Sequence, residues 1–147
     1  MNIHEDLAFK LAQVSRSWRT KLNYRLRALG LTQARWLTLL QLSQASGGVT
    51  QRELAQLVGV ERATIGRLLD GLEYQGLIER RAIAGDRRAH SVHLTPAALP
   101  VLKDINAIAQ KLRLELLMDI PLDDMKTCVA VLRRIGNRLE KHDSSNP

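Results

Sequence analysis

Arg62, Ala63, Thr64 and Arg67 fall within one six-residue stretch, a guanidinium at each end and small side chains between. Take about 100° per residue for a helix and turn Ile65, Leu68, Leu69 and Leu72 inward. Ala63, Gly66, Arg67, Asp70 and Tyr74 then face outward, with Arg62 and Thr64 beside them. The DNA major groove admits one helix, and small residues at Ala63 and Gly66 let a backbone approach it closely. Arg67 is then placed to bond guanine O6 and N7 together, worth about 1–3 kcal/mol of discrimination. Two other uses of Arg67 stay open at this stage: a phosphate contact, or an ion pair with Asp70 or Asp86.

Two further basic groups suit the same polyanion. Thr50, Gln51 and Arg52 open a short helix, and helix N-termini attract phosphate through their unpaired amides. Asp86, Arg87 and Arg88 sit in a turn between two β-type runs. Arginine is favoured in a narrow minor groove, so Arg87 or Arg88 is expected to enter it, with Asp86 fixing the one that does. If both touch only phosphate, they add affinity without sequence information.

Catalytic chemistry is not expected. The chain has no Gly-rich phosphate loop, no clustered carboxylates and no Cys/His pair at useful spacing. His90 and His93 are three apart on an expected strand, so they point to opposite faces and share no metal. Neither a metal nor a cofactor is expected. The single cysteine, Cys128, excludes an internal disulfide framework. It lies among Met125, Val129 and Leu132, where inert packing is the expectation and redox sensing the alternative.

The elements that must position these residues follow from periodicity and punctuation. Leu7, Leu11, Val14, Trp18, Leu22 and Leu26 make one apolar stripe on a long helix from about His4 to Leu29, ended by Gly30. Thr32 starts a second helix running to about Ala45, and Ser46, Gly47 and Gly48 form a loop. Thr50 and Glu53 fit a reciprocal capping box. The short helix that follows turns Leu54, Leu57 and Val58 inward and stops at Gly59. Another helix starts at Glu61 or Arg62 and ends at Gly76. Two short helices around a Gly-containing turn are a helix-turn-helix. Two strands follow, Leu77 to Ile83 and Ser91 to Leu94, joined by a basic turn over 84–89. Thr95 and Pro96 are expected to cap and open a helix to about Met118. Acids at Asp123 and Asp124, and bases from Arg133 to Lys141, suit the dipole of a last helix, with HDSSNP as a frayed tail.

The expected fold is therefore mainly α with a small β-hairpin wing: a winged helix-turn-helix plus an α-helical dimerisation region, α+β in class. Its divisions are an N-terminal dimerisation helix over 1–30, a DNA-binding lobe over 31–95 and C-terminal dimerisation helices over 96–147. The outer helices carry stripes (Leu102, Ile105, Ile108, Ala109, Leu112, Leu116; then Met125, Val129, Leu132, Ile135, Leu139) that close a private core or intertwine with a second copy. A two-fold dimer would present two recognition helices to half-sites about one helical turn apart, hence a palindromic operator.

Whole-chain properties agree. The 147 residues carry a net charge of +7, with a pI near 10.2, which favours polyanionic partners. Between Asp6 and Glu53 every charged residue is basic: Lys10, Arg16, Arg19, Lys21, Arg25, Arg27, Arg35 and Arg52. No apolar run reaches the roughly 18 residues of a membrane span, and MNIHEDLAFK has acids where a secretion signal has bases. A cytoplasmic protein without a membrane partner is expected.

The segments LTQARWLTLL (31–40), TQRELAQLVGVERATIGRLLDGLEYQGLIERR (50–81) and DRRAHSVHLTP (86–96), with LAQVSRSWR (11–19), resemble the MarR family of bacterial transcription regulators, and within it the SlyA-like branch. The resemblance spans nearly the whole chain. It implies an obligate homodimer, formed by first and last helices into a triangle, that binds double-stranded DNA as a repressor or as an activator. It also implies Arg88 in the minor groove, braced by Asp86, and Arg67 as a recognition-helix contact. Small aromatic acids or phenols often release DNA in this family, from a pocket whose matching stretches hold Trp18, Thr32, Arg35 and Trp36. Glu61 beside the groove is a departure; it caps its helix or accepts from cytosine N4. The alternatives are an architectural protein that binds DNA without sequence preference and a redox-responsive regulator acting through Cys128.

Overall fold

The structure is a computed structural model describing residues 1–45 and 47–145. Its elements, in chain order, are α1 (Ile3–Leu26), a 3₁₀ turn (Arg27–Leu29), α2 (Gln33–Gln44), β1 (Val49–Thr50), α3 (Gln51–Val58) and α4 (Arg62–Tyr74). They continue with β2 (Ile78–Ile83), β3 (Asp86–Leu94), α5 (Ala98–Leu117) and α6 (Leu122–Ser145). The chain divides into two compact units, Met1–Lys111 and Leu112–Pro147, and α5 supplies residues to both. A mostly helical chain with one small antiparallel sheet is the expected fold class.

The first unit closes around aliphatic side chains. Leu26, Leu31, Trp36, Leu39 and Leu42 join Leu54, then Ile65, Leu69 and Leu72 of α4, then Ile78 and Val92 of the sheet, and Leu102 and Ile105 of α5. Trp36 is 2% exposed, and its indole N–H donates to Asn23 Oδ1 at 3.2 Å. The polar end of the largest core ring is therefore satisfied. Thr38, also fully buried, donates to the Ala34 carbonyl at 2.7 Å.

Helix ends follow the punctuation of the sequence. Thr32 accepts from the Arg35 amide, and Thr50 from the Glu53 amide at 3.1 Å. Gly59 takes the left-handed conformation at φ 80°, and its amide closes on the Ala55 carbonyl. Only half of the expected Thr50–Glu53 box forms: Thr50 accepts from the Glu53 amide, and Thr50 also belongs to β1, opposite Ser91 of β3. A complete box occurs instead at Asn2 and Glu5.

Several expectations are corrected. Leu57 is 54% exposed, and the buried face of α3 is Leu54 and Ala55 with Val58 partly covered. The Thr95 hydroxyl donates to the Gly76 carbonyl, and its amide to Leu77, so it seals the sheet and α5 begins only at Ala98. Strand β3 starts at Asp86 rather than Ser91, leaving a two-residue turn, Ala84–Gly85, with Gly85 at φ 89°. The last helix continues through His142 to Ser145, where a frayed tail was expected; Asn146 and Pro147 of that tail, and Ser46 of the Gly loop, lie outside the described residues. Cys128 is exposed on α6. Its apolar neighbour Val129 is exposed with it, at 46%.

The sheet has the order β1-β3-β2, so β3 is central and β2 is an edge. The β2–β3 register runs evenly from Ile78↔Leu94 to Ala82↔His90, then jumps to Ile83↔Asp86. Arg87, Arg88 and Ala89 therefore stand opposite no residue of β2, and the wing bulges at its basic tip.

Candidate nucleic-acid interface

Five elements of the first unit converge on one concavity. A cleft of about 550 Å³ is lined by Thr50 at the end of β1, Gln51 and Arg52 of α3, Arg62 and Ile65 of α4, Arg80 of β2, and Asp86, Ala89 and His90 of β3. Five of the residues singled out in the sequence, Thr50, Gln51, Arg52, Arg62 and Asp86, thus meet at one surface. Ala63 lines an adjoining cleft of about 410 Å³ together with Arg52, Glu61 and Arg62. Thr64 and Arg67 are exposed farther along α4. The side chains of Arg87 and Arg88 lie outside the described residues; their backbone belongs to β3 at the bulge.

The order of events along the chain explains this convergence. Thr50 ends β1 and caps α3, so the sheet delivers the first turn of α3 directly. Gly59, Val60 and Glu61 then reverse the chain into α4, whose Ile65, Leu69 and Leu72 anchor it in the core. Glu61 occupies the cap position of α4 without a side-chain cap bond.

Gly66 gives a sharper signal. A Cβ built there meets only Gln51 Nε2, at 3.5 Å, which is ordinary contact. Glycine inside a helix costs about 1 kcal/mol relative to alanine, and packing within the chain does not require it here. Gly71 differs: a Cβ there would stand 2.6 Å from the Arg35 guanidinium.

Asp70 does not pair with Arg67. It forms an ion pair with Arg80, which also reaches Glu73 at 3.4 Å. The Asp70 hydrogen bond foremost, with Glu73 beside it, raises the Arg80 pKa above its ordinary value against the opposing desolvation. Among the described residues Arg67 has no ion pair, so its guanidinium is uncommitted. Arg80 itself was missed in the sequence. Its available signal was a pair of carboxylates one turn apart on α4, ahead of an arginine on the following strand.

The residues expected around a small ligand stand in different surroundings. Thr32 caps α2 and lines a cleft of about 380 Å³ with Asn23, Arg27, Gly30, Leu31 and Gln33. Arg35 points away to Gln75, bonding its Oε1 at 3.4 Å, and lies against Gly71. Trp36 is core, and Trp18 is half-buried on α1.

These elements define a winged helix-turn-helix, with α3 and α4 as the helical pair and β2–β3 as the wing. Comparison with known proteins narrows the class. A sequence model of the MarR family matches residues 29–89. The solved structure of the transcriptional regulator PA3341 is 51% identical, with 92% of this chain and 98% of that chain covered and a TM-score of 0.82. A MarR family regulator from Silicibacter pomeroyi is 30% identical, with coverages of 88% and 86% and a TM-score of 0.77. The chain belongs to the MarR family of transcriptional regulators. Its fold is shared by S. aureus MepR, solved as a MepR–DNA complex, at 22% identity, coverages of 90% and 97% and a TM-score of 0.74.

Proposed function

We propose that this regulator binds a palindromic operator in double-stranded DNA as a homodimer, with residues 31–95 on the DNA and residues 1–30 and 96–147 forming the dimer. The observation that carries the reading is the shared cleft of α3, α4 and wing, beside an exposed, unpaired Arg67 and a glycine that internal packing does not need. In this reading α4 enters the major groove, and Arg67 bonds a guanine edge while Ala63, Gly66 and Thr64 permit close approach. Thr50, Gln51, Arg52 and Arg62 hold phosphate. Arg87 or Arg88 enters the minor groove with Asp86 as brace. MepR, which shares the fold, is solved with DNA, and this supports DNA as the partner.

Apolar side chains left in solvent support the dimer. Leu7, Leu11 and Val14 on α1, and Val129, Leu132 and Leu139 on α6, are exposed in the single chain. Such stripes are what a second copy would cover. Within the family, the LEYQGLIERR and DRRAHSVHLTP segments support the SlyA-like branch. A small aromatic acid acting near Trp18, Thr32, Arg35 and Trp36 completes the proposal, supported by the cleft that Thr32 lines.

The test is selection of genomic DNA fragments on the purified protein at physiological salt. Enrichment of one palindrome with half-sites about one helical turn apart upholds the reading. Fragments without a shared sequence would instead indicate an architectural DNA-binding protein. An operator Kd unchanged at saturating salicylate would remove the effector from the proposal.

A further inference from the structure

The edge strand of the wing is tied to the recognition helix by one residue. The Arg80 backbone amide donates to Glu73 Oε2 at 3.2 Å. Its guanidinium bonds the same oxygen through Nε at 3.5 Å, and meets Asp70 and Glu73 Oε1 through Nη2. An amide on an edge strand otherwise faces water or another chain, and here a carboxylate of α4 takes it. The Arg80 side chain is only 20% exposed, against 65% for Asp70 and 44% for Glu73. The arginine is thus folded into the junction, and the two acids reach over it.

The placement of Asp70 gives this junction a second effect. Asp70 follows Arg67 by one turn on the outward side of α4, where an unpaired carboxylate would repel phosphate. Its pairing with Arg80 offsets that charge. Leverage matters as well. From Arg80 to the turn at Ala84 the strand extends about 13 Å, at 3.2–3.4 Å per residue. A rotation of about 10° at Arg80 would therefore move the wing tip by about 2 Å, enough to misplace a groove contact.

We infer that Arg80, through Asp70 and Glu73, is a positioning residue that sets the spacing between recognition helix and wing, so that both engage one DNA site together. This rests on the DNA-binding reading above. The rival for the same residue is a direct phosphate contact, since Arg80 also lines the cleft with Arg52 and Arg62.

The experiment uses the full chain as wild type, Arg80→Met, Arg80→Lys, Asp70→Asn/Glu73→Gln, and that double variant with Arg80→Met added. Amide hydrogen exchange over residues 80–90 is measured without DNA. Kd values for the selected operator and for random duplex are measured across a salt titration. Arg80→Met should speed exchange in the wing and raise the operator Kd about tenfold, more than the random-duplex Kd, as expected for loss of charge-assisted bonds. Arg80→Lys should recover part of both effects. In the Asp70→Asn/Glu73→Gln background, Arg80→Met should add nothing further.

An equal loss in both backgrounds, with a salt slope reduced by about one, would overturn the inference in favour of a phosphate contact. A lowered Tm with unchanged wing exchange and unchanged Kd would also overturn it, leaving Arg80 a purely structural residue. If Arg80→Met fails to fold, Arg80→Lys and the double variant still decide. If the wild type binds no DNA, the function proposed above fails, and the exchange comparison alone tests whether the junction holds the wing.

Discussion

Helices α4 and α6 carry apolar stripes of the same helical spacing and meet opposite fates. In α4, Ile65, Leu69 and Leu72 are wholly removed from water by α2, α3 and the sheet. In α6, Val129 is 46%, Leu132 40% and Leu139 60% exposed. An amphipathic stripe states that a face is to be covered; it does not state what covers it. The first stripe is answered within the chain. The second has its answer, in our proposal, in another copy of the same chain.

The sharpest way to break this contrast is to make the same substitution in both helices. Leu69→Ala should cost about 2–5 kcal/mol by leaving a cavity in a closed core. Its denaturation midpoint should fall by the same amount at every protein concentration. Leu132→Ala should cost about 1.5–3 kcal/mol per covered side chain, and the loss should appear in the dimer dissociation constant measured by analytical ultracentrifugation. A Leu132→Ala protein with unaltered self-association would take α6 out of the proposed interface.

Smaller effects sharpen the contrast within α4 itself, between its inward and outward faces. Arg67→Ala should leave the unfolding midpoint unchanged while reducing preference for the operator over random duplex by about 1–3 kcal/mol, read from competition binding. Equal loss on both duplexes would make Arg67 a phosphate contact. Thr50→Ala should cost about 1 kcal/mol of stability through the lost cap on the Glu53 amide, seen in urea denaturation. A Gly66→Ala protein should be slightly more stable, by about 1 kcal/mol or less, and yet bind the operator less tightly. Stabilisation together with undiminished binding would show that nothing approaches α4 closely at that point.

Much of this molecule was legible before its structure. Thr32, Thr50 and Gly59 mark helix ends by local chemistry at the boundaries that the structure has, Gly76 falls just past the cap of α4, and Gly30 ends the 3₁₀ turn after α1, which itself stops at Leu26 rather than Leu29. The inward face of α4 follows from spacing alone. What escaped depends on partners distant in sequence. Thr95 reads as a helix cap until the Gly76 carbonyl, nineteen residues earlier, claims its hydroxyl. Leu57 reads as core until Ala55 takes the inner position on an eight-residue helix. Arg80 is one of several arginines until the fold brings Asp70 and Glu73 to it. At the site, α3 and α4 could be placed from periodicity, whereas the path of the wing could not, because register is set by cross-strand pairing.

The jump in that register has a consequence for how such a protein changes over time. Val92 pairs with both Val49 and Arg80, well inside the regular part of the ladder, while the three residues opposite no partner lie beyond His90. The bulge acts as an expansion joint. Length and composition at the tip can vary without passing a shift down the strand to the core, so the wing is free to change what it presents while the lobe that carries it stays folded as before.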